Sequence, residues 1–353
     1  GWISSTQQIT ENILKEVSNS IDNQINSFLY TPYHINEWNY KLIEDGIIDL
    51  NDENARDKYF ANTLKTHNDE VYSFSYGTTN GEYYGARRNE EGQIEIMKNN
   101  GDTGGNSWYY SVNEDMTAGE LAVQAGEFDP RTRDWFKVVA ESGKPTFSQI
   151  YKHFIMEDLT LSFGWPIYDM EDELQGVLGT HILLSSIGSE LKEAIEPYDG
   201  YAIIMEKDTG NLVANSMAID NFTYLEDGTL KRSTICDIGD SNIGLACQHF
   251  MESNESQFEF EDQEGNLYVN AREMNVEGLD WLIISAIPQE IYLASVYQRE
   301  QVFFLLTLLF LGISLFASNK VIKRLLRPMD NLLEASTAFT LGDLSQRVKV
   351  ARR

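Results

Sequence analysis

The chain has 353 residues, 42% of them apolar, and a formal net charge of −28. That length allows two or three domains, and the apolar content supplies real cores, which excludes global disorder. Eight basic against three acidic residues from Asn319 onward leave the tail at about +5 and the first 318 residues at about −33, so the bulk of the chain is unsuited to nucleic acid, whose phosphates need a basic surface.

Ile9, Ile13, Val17, Ile21, Ile25 and Phe28 fall at spacings of four, four, four, four and three. That is one stripe of a long helix, widened by Leu14 and Leu29. Pro32 is expected to end or kink it. Further helical stretches are expected around Trp38 to Ile43 and Ala55 to Leu64. Strands follow: Val71 to Tyr76, then Glu82 to Arg88 after an Asn80-Gly81 hairpin turn, then Gln93 to Met97 and Trp108 to Val112. Pro130 announces a short helix over Arg133 to Ser142. Leu159 to Tyr168 and Gln175 to Leu183 read as a hairpin around an acidic loop, with a helix over Ile187 to Ile195. A second, smaller strand-rich unit opens at Tyr198 to Ile204. It continues through Asn211 to Asn215, a helix around Ile243 to Glu252, and strands over Gln257 to Glu261, Leu267 to Arg272 and Trp281 to Ile287. Turns are expected at Asp208-Thr209-Gly210 and Gly265-Asn266, and Pro288 is expected to close the last strand. Cys236 and Cys247 lack Cys-x-x-Cys spacing, which excludes that kind of zinc site. They read as two small core residues, with a disulfide as the alternative.

Val302 to Ala317 carries no charge, and Thr307 and Ser314 are its only polar residues. At ~1.5 Å per residue this segment is slightly short of a ~30 Å hydrocarbon core, and Gln301, Ser318 and a snorkelling Lys320 extend it. Lys320, Lys323, Arg324 and Arg327 follow closely, so the positive-inside rule places residues 319–353 in the cytoplasm and residues 1–300 outside an inner or plasma membrane. The opening GWISSTQQIT is neither a signal peptide nor a membrane span. An exported exterior part is therefore expected to need an earlier membrane helix, ending near Ile3.

Phe128-Asp129-Pro130-Arg131-Thr132-Arg133-Asp134-Trp135-Phe136 resembles the signature of the double Cache sensor family of bacterial receptors. Gly143-Lys144-Pro145, Ser148 to Tyr151, Pro166-Ile167-Tyr168-Asp169 and Gly176-Val177-Leu178-Gly179 agree with it in order and spacing over roughly residues 55 to 290. The resemblance implies an α+β fold: a long N-terminal helix carrying two stacked PAS-like (Cache) domains with antiparallel sheets, followed by a transmembrane helix. The tail is similar to the start of a HAMP relay domain. Ile322, Leu325, Met329, Leu332 or Leu333, Ser336 and Phe339 keep coiled-coil spacing, and Gly342-Asp343-Leu344 resembles the connector. The expected organisation is residues 1–54 helix and connector, 55–197 membrane-distal domain, 198–292 membrane-proximal domain, 293–318 transmembrane helix and 319–353 partial HAMP. A homodimer through the HAMP coil and contact with membrane lipid follow from it.

In amino-acid-binding members of that family, an Arg and a Trp two residues later hold the ligand carboxylate, while Tyr and Asp residues hold its ammonium. Arg133 and Trp135 match the first pair. Phe128 and Phe136 stand where the signature has aromatics, and Tyr151 matches the later tyrosine. His153 and His181 fall where the two acids belong. A neutral imidazole does not compensate an ammonium, so the expected small-molecule ligand is an organic acid or similar metabolite. The histidines are expected to make affinity pH-dependent near ~6.5, with a structural, hydrogen-bonded role as the alternative. Tyr72, Tyr76, Tyr109, Tyr110 and Trp165 are candidates for pocket walls or core. His153, His181, Glu157 and Asp158 are metal donors by type, but no local spacing gathers them, so no metal is expected, nor any cofactor or catalytic residue. The expected output is a diguanylate cyclase. A histidine kinase of a two-component system or a chemoreceptor sensing amino acids is the alternative, and a membrane-anchored extracellular enzyme or adhesive module the alternative of another class.

Overall fold

The apolar stripe of the leading segment forms a single helix, α1 (Trp2–Glu44), with Pro32 inside it. The proline does not end the helix, contrary to expectation, and Trp38 to Ile43 is its last part. The reason lies in burial on both sides of the break. Phe28 and Leu29 before Pro32, and Ile35 after it, are nearly inaccessible. Asn36 adds a polar clamp: its Nδ2 donates to the Phe163 carbonyl at 2.6 Å, and its Oδ1 accepts from Thr180 Oγ1 at 2.8 Å. At ~1.5–3 kcal/mol per buried large apolar side chain, this outweighs the ~3 kcal/mol an internal proline costs. The computed structural model describes residues 2–67, 71–234, 241–262, 265–276 and 278–341.

Helix α2 (Glu53–Thr66) is capped by Asp52, whose carboxylate accepts from the Ala55 amide. Nine strands then build an antiparallel sheet: β1 (Ser73–Thr78), β2 (Tyr83–Arg88), β3 (Ile94–Asn99), β4 (Asn106–Val112), β5 (Ala118–Glu127), β6 (Thr146–Phe147), β7 (Tyr151–Lys152), β8 (Leu159–Tyr168) and β9 (Leu174–Leu183). Their order is β5-β4-β3-β2-β1-β9-β8-β6, with β7 also paired to β8. A 3-10 turn (Pro130–Thr132) and helix α3 (Asp134–Ser142) lie between β5 and β6. Helix α4 (Leu184–Ile195) leads to the second sheet, made of β10 (Tyr201–Glu206), β11 (Leu212–Asn215), β14 (Gln257–Asp262), β15 (Gly265–Val276) and β16 (Leu279–Pro288) in the order β11-β10-β16-β15-β14. A two-stranded ribbon, β12 (Phe222–Tyr224) and β13 (Leu230–Arg232), and helix α5 (Asn242–Ser253) complete it. The architecture is the expected α+β plan of antiparallel sheets with a long leading helix. The expected Gly265-Asn266 turn is instead the start of β15, since Gly265 already pairs with Asp262.

The two faces of the nine-stranded sheet do different work. Phe74, Tyr76, Tyr84, Ala86 and Leu178 face Ile35 of α1 and Phe60 and Leu64 of α2. Tyr83, Met97, Tyr109 and Val177 point the other way and pack against Trp135, Phe136 and Val139 of α3. Val17, Ile21, Ile25 and Phe28 of α1 join α4 in a core shared by Leu161 and Phe163 of the first sheet and Ile204, Val213 and Trp281 of the second. Two polar bonds also tie α1 to β15: Asn270 Nδ2 to Ser18 Oγ at 2.6 Å, and the Arg272–Asp22 ion pair at 2.7 Å. A separate core lies under α5, where Cys247 is a buried free thiol; Cys236 lies outside the described residues.

Residues 292–353 separate as a second compact unit. Helix α6 (Gln289–Thr340) runs without interruption through Pro328. Its stretch from Val302 is long and apolar enough to cross a membrane. Phe303, Phe310 and Phe316 are each more than 70% exposed. The Thr307 hydroxyl turns back onto the Phe303 carbonyl at 2.8 Å, so this donor is paired within the helix. The expected Gly342-Asp343-Leu344 connector lies outside the described residues.

Ile21→Ala should destabilise the unit of residues 1–291 by ~2–5 kcal/mol, because its side chain is fully buried where α1, α4 and both sheets meet. Urea unfolding followed by tryptophan fluorescence measures it; a loss below ~1 kcal/mol would contradict that packing.

Candidate functional site

The Phe128 to Phe136 motif builds its own local structure. The Asp129 carboxylate accepts from the Arg131 amide at 3.0 Å and grips the Arg131 guanidinium at 2.7 Å, closing the 3-10 turn that Pro130 starts. Arg133 then stands at the N-cap of α3 in extended backbone, with no side-chain cap. Arginine is a poor N-cap, so the first amides of α3 keep their partial positive charge. Trp135 and Phe136 follow at the first turn and are buried.

Helix α3 lies unusually close to the sheet. Gly85, Ser75, Gly179 and Gly164 are register partners across β2, β1, β9 and β8. A Cβ on Gly164 would stand 2.5 Å from Val139 Cγ2 and 3.0 Å from the Trp135 carbonyl oxygen, and one on Gly179 would stand 2.8 Å from His181 Nε2. The adjoining row is Arg87, Ser73, His181 and Ser162.

The Arg133 guanidinium sits over the Phe128 ring at 4.5 Å and the Phe154 ring at 5.1 Å. Among the described residues it has no carboxylate partner, and its Nε is buried without an acceptor. The surrounding acids are all committed elsewhere or exposed. Glu95 is buried and paired with Arg87 at 2.8 Å. Asp129 holds Arg131. Glu157 takes Lys152 at 3.5 Å and the Tyr224 hydroxyl at 3.0 Å. Asp158 accepts from the Ser185 hydroxyl and from the Leu159 amide at 2.7 Å. Asp134 is exposed on the first turn of α3.

His181 is buried, with Nε2 at 2.7 Å from Ser75 Oγ and Nδ1 at 2.6 Å from Ser162 Oγ. Ser75 donates to the Gly179 carbonyl at 3.4 Å, and Tyr151 stands 2.8 Å from Ser162. Either tautomer of the ring satisfies both nitrogens: the chain can run from Tyr151 through Ser162, His181 and Ser75 to the Gly179 carbonyl, or in reverse from Ser75 to Tyr151. His153 rests edge-on against Tyr72 at 4.6 Å. Its Nδ1 accepts from the Ile155 and Met156 amides at 3.0 and 2.9 Å, so Nε2 carries the proton and has no protein partner.

All seven expected ligand residues lie around this face, but not in equal roles. Arg133 and His153 present groups that the fold leaves unpaired among the described residues, while Phe128 is buried against Tyr83 and carries the guanidinium on its ring. Trp135, Phe136 and His181 are packed or bonded into it, with the Trp135 and His181 rings 5.2 Å apart. Tyr151 lies between the two. Of the wall candidates, Tyr72 and Tyr109 belong to this side, holding Arg87 through a 3.3 Å hydrogen bond and a ring contact at 3.7 Å. Tyr76, Tyr110 and Trp165 are on the opposite face: Tyr76 packs with Ile35 and Phe60, Trp165 on Tyr33 and Tyr40, and Tyr110 beside Lys98. Phe154 was not anticipated; nothing in its spacing marks it as the second ring on Arg133. The four donors considered for a metal do not converge, and among the described residues no group of three or more such side chains does.

Burial pushes both imidazoles down to a pKa of about 3; at His153 the neighbouring His181, Arg87, Lys152 and Arg133 add to it. This corrects the expected pH dependence of affinity near 6.5, because neither ring titrates in that range. The linkage falls on stability instead. The unfolded histidines take protons below ~6.5 while the folded ones do not, so stability is full above that pH and falls as pH drops toward 3. Between pH 7 and pH 5 each histidine should remove ~2 kcal/mol. Urea unfolding of His181→Gln should show a correspondingly shallower loss between those pH values, and an unchanged pH slope would mean that the ring is solvated.

No family model matches the chain. Its sequence is 27% identical over 123 residues to the methyl-accepting chemotaxis protein McpC of Bacillus subtilis (strain 168), covering 35% of this chain and 18% of that protein. The fold matches the sensory domain of the Campylobacter jejuni chemoreceptor Tlp3 (CcmL) with isoleucine bound, at a TM-score of 0.50 and 11% identity over 81% of this chain and 97% of that one. It matches the Tlp3 ligand-binding domain in complex with L-norvaline at 0.50 and 11%, over 82% and 94%. The unit of residues 1–291 thus has the fold of chemoreceptor ligand-binding domains of the double Cache type, followed by an apolar helix long enough to cross a membrane.

Proposed function

We propose, from that fold and the apolar helix after it, that this chain is the sensor and membrane-crossing part of a chemoreceptor-type signalling receptor. Residues 1–300 face outward, residues 319–353 face the cytoplasm, and a small molecule carrying a carboxylate binds beside α3. The observation that carries this reading is the half-buried Arg133 guanidinium, resting against the paired Phe128 and Phe154 rings with no carboxylate on it among the described residues. A guanidinium held in fixed geometry binds a carboxylate with two charge-assisted hydrogen bonds, and the uncapped N-terminus of α3 adds to the attraction. Phe128 and Phe154 supply apolar area, and Trp135, Phe136, Tyr151 and His181 hold the geometry.

Residues 55–197 are read as the membrane-distal domain, 198–292 as the proximal one, 293–318 as the transmembrane helix and 319–353 as the start of a HAMP coil that pairs two copies. The likeness to a methyl-accepting chemotaxis protein and to amino-acid-bound chemoreceptor domains supports the chemoreceptor alternative over the diguanylate cyclase expected from sequence. It also weighs against the extracellular enzyme and the adhesive module, since such domains bind and do not transform their ligands.

Two outcomes test the reading. In isothermal titration of the chain in lipid nanodiscs against small carboxylates and amino acids, Arg133→Ala should weaken any binding at least 100-fold while changing unfolding free energy by less than ~1 kcal/mol. Binding that survives the substitution would overturn the site. The expressed chain should also stay with membranes through alkaline carbonate washing; release into the supernatant would remove the membrane-crossing role.

A further inference from the structure

We infer that the ligand is an amine-free carboxylate, and that the site discriminates against the matching α-amino acid. This rests on the Arg133 site proposed above and names its ligand class.

The argument is an inventory of what the fold leaves unused. On the donor side are the Arg133 guanidinium, the uncapped first turn of α3 and the Nε2–H of His153. A carboxylate, with its two oxygens and several lone pairs, satisfies donors of this kind. An ammonium brings three further donors and a positive charge, and needs a carboxylate or several acceptors in return. Among the described residues no buried carboxylate is left unpaired to meet it. Glu95 is neutralised by Arg87, Asp129 by Arg131 and Glu157 by Lys152; Asp158 is bonded to Ser185 and the Leu159 amide, and Asp134 is exposed on the first turn of α3, where water screens its charge. His181 has no free nitrogen, and the one acceptor of His153 is already shared by two amides. What remains is the neutral Tyr151 hydroxyl, which offers one uncharged hydrogen bond and no compensating charge. An ammonium would therefore shed its water near the Arg133 charge for one neutral hydrogen bond, a net cost.

The test uses pairs that differ only by the ammonium: alanine and propionate, norvaline and valerate, aspartate and succinate, phenylalanine and 3-phenylpropanoate. Each is titrated calorimetrically into the full chain in nanodiscs, alongside Arg133→Ala and His153→Asp. The expected result is that the carboxylate of at least one pair binds ten times or more tighter than its amino acid, that Arg133→Ala abolishes this, and that His153→Asp narrows or reverses the preference. Amino acids that bind as tightly as their partners or tighter, still through Arg133, would overturn this inference and leave the site standing. An unchanged preference in His153→Asp would overturn the role given to the imidazole. No binding by any pair, or binding indifferent to Arg133, would overturn the inference and the proposed site together.

Discussion

The close approach of one short helix to one row of small residues governs the rest. Gly85, Ser75, Gly179 and Gly164 give four neighbouring strands almost no side-chain height on the α3 side. Trp135 and Val139 settle directly on that row. The N-terminus of α3, and with it Arg133, is then fixed by van der Waals contact with backbone, which yields far less than flexible side chains do. Adding a methyl group at Gly164 or Gly179 would lift the helix and carry the guanidinium off its two rings. The glycines act at a distance from the proposed site, by setting the height of the helix that presents Arg133.

Electrostatics follows from that packing. The face holds several acids, yet each is bound to a cation or hydroxyl of its own chain or turned to water, and the buried Arg87–Glu95 pair consumes the most desolvated of them. Both imidazoles are neutral because burial makes their charged forms expensive. The surplus is one positive charge on Arg133. In a chain whose net charge is −28, a local excess of positive charge is a specific construction and runs against the overall balance.

Much of this was legible in the amino-acid order. The spacing of four, four, four and three from Ile13 to Phe28 reports α1, since only a helix brings those side chains onto one face. The Asp-Pro-x-x-Arg-x-Trp-Phe pattern reports a turn leading into a helix, because Asp129 caps, Pro130 starts and the aromatics bury. What was not legible depended on tertiary context. Pro32 breaks a helix by itself and not one packed on both sides of the break. Strand β5 carries alternation too weak to mark it, since both its faces are largely exposed. His153 and His181 stand alike in sequence, yet one is bonded through both nitrogens and the other keeps a free N–H, a difference set by hydroxyls on β1 and β8 that no local spacing reveals. Phe154 reaches Arg133 only because the segment after β7 folds back over it.

That segment, from Tyr151 to Asp158, is fastened at its far end as well. Glu157 meets the Tyr224 hydroxyl, Lys152 lies over the Phe222 ring at 5.8 Å, and Asp158 holds Ser185 at the start of α4. A tether of this kind sets a ceiling on crosstalk. Exposed polar contacts are worth ~1–2 kcal/mol together, so a ligand at the proposed Arg133 site would bias the β12–β13 ribbon, and the ribbon that ligand, by no more than about 5- to 30-fold through this route. A graded dimmer suits that ceiling better than an on–off latch.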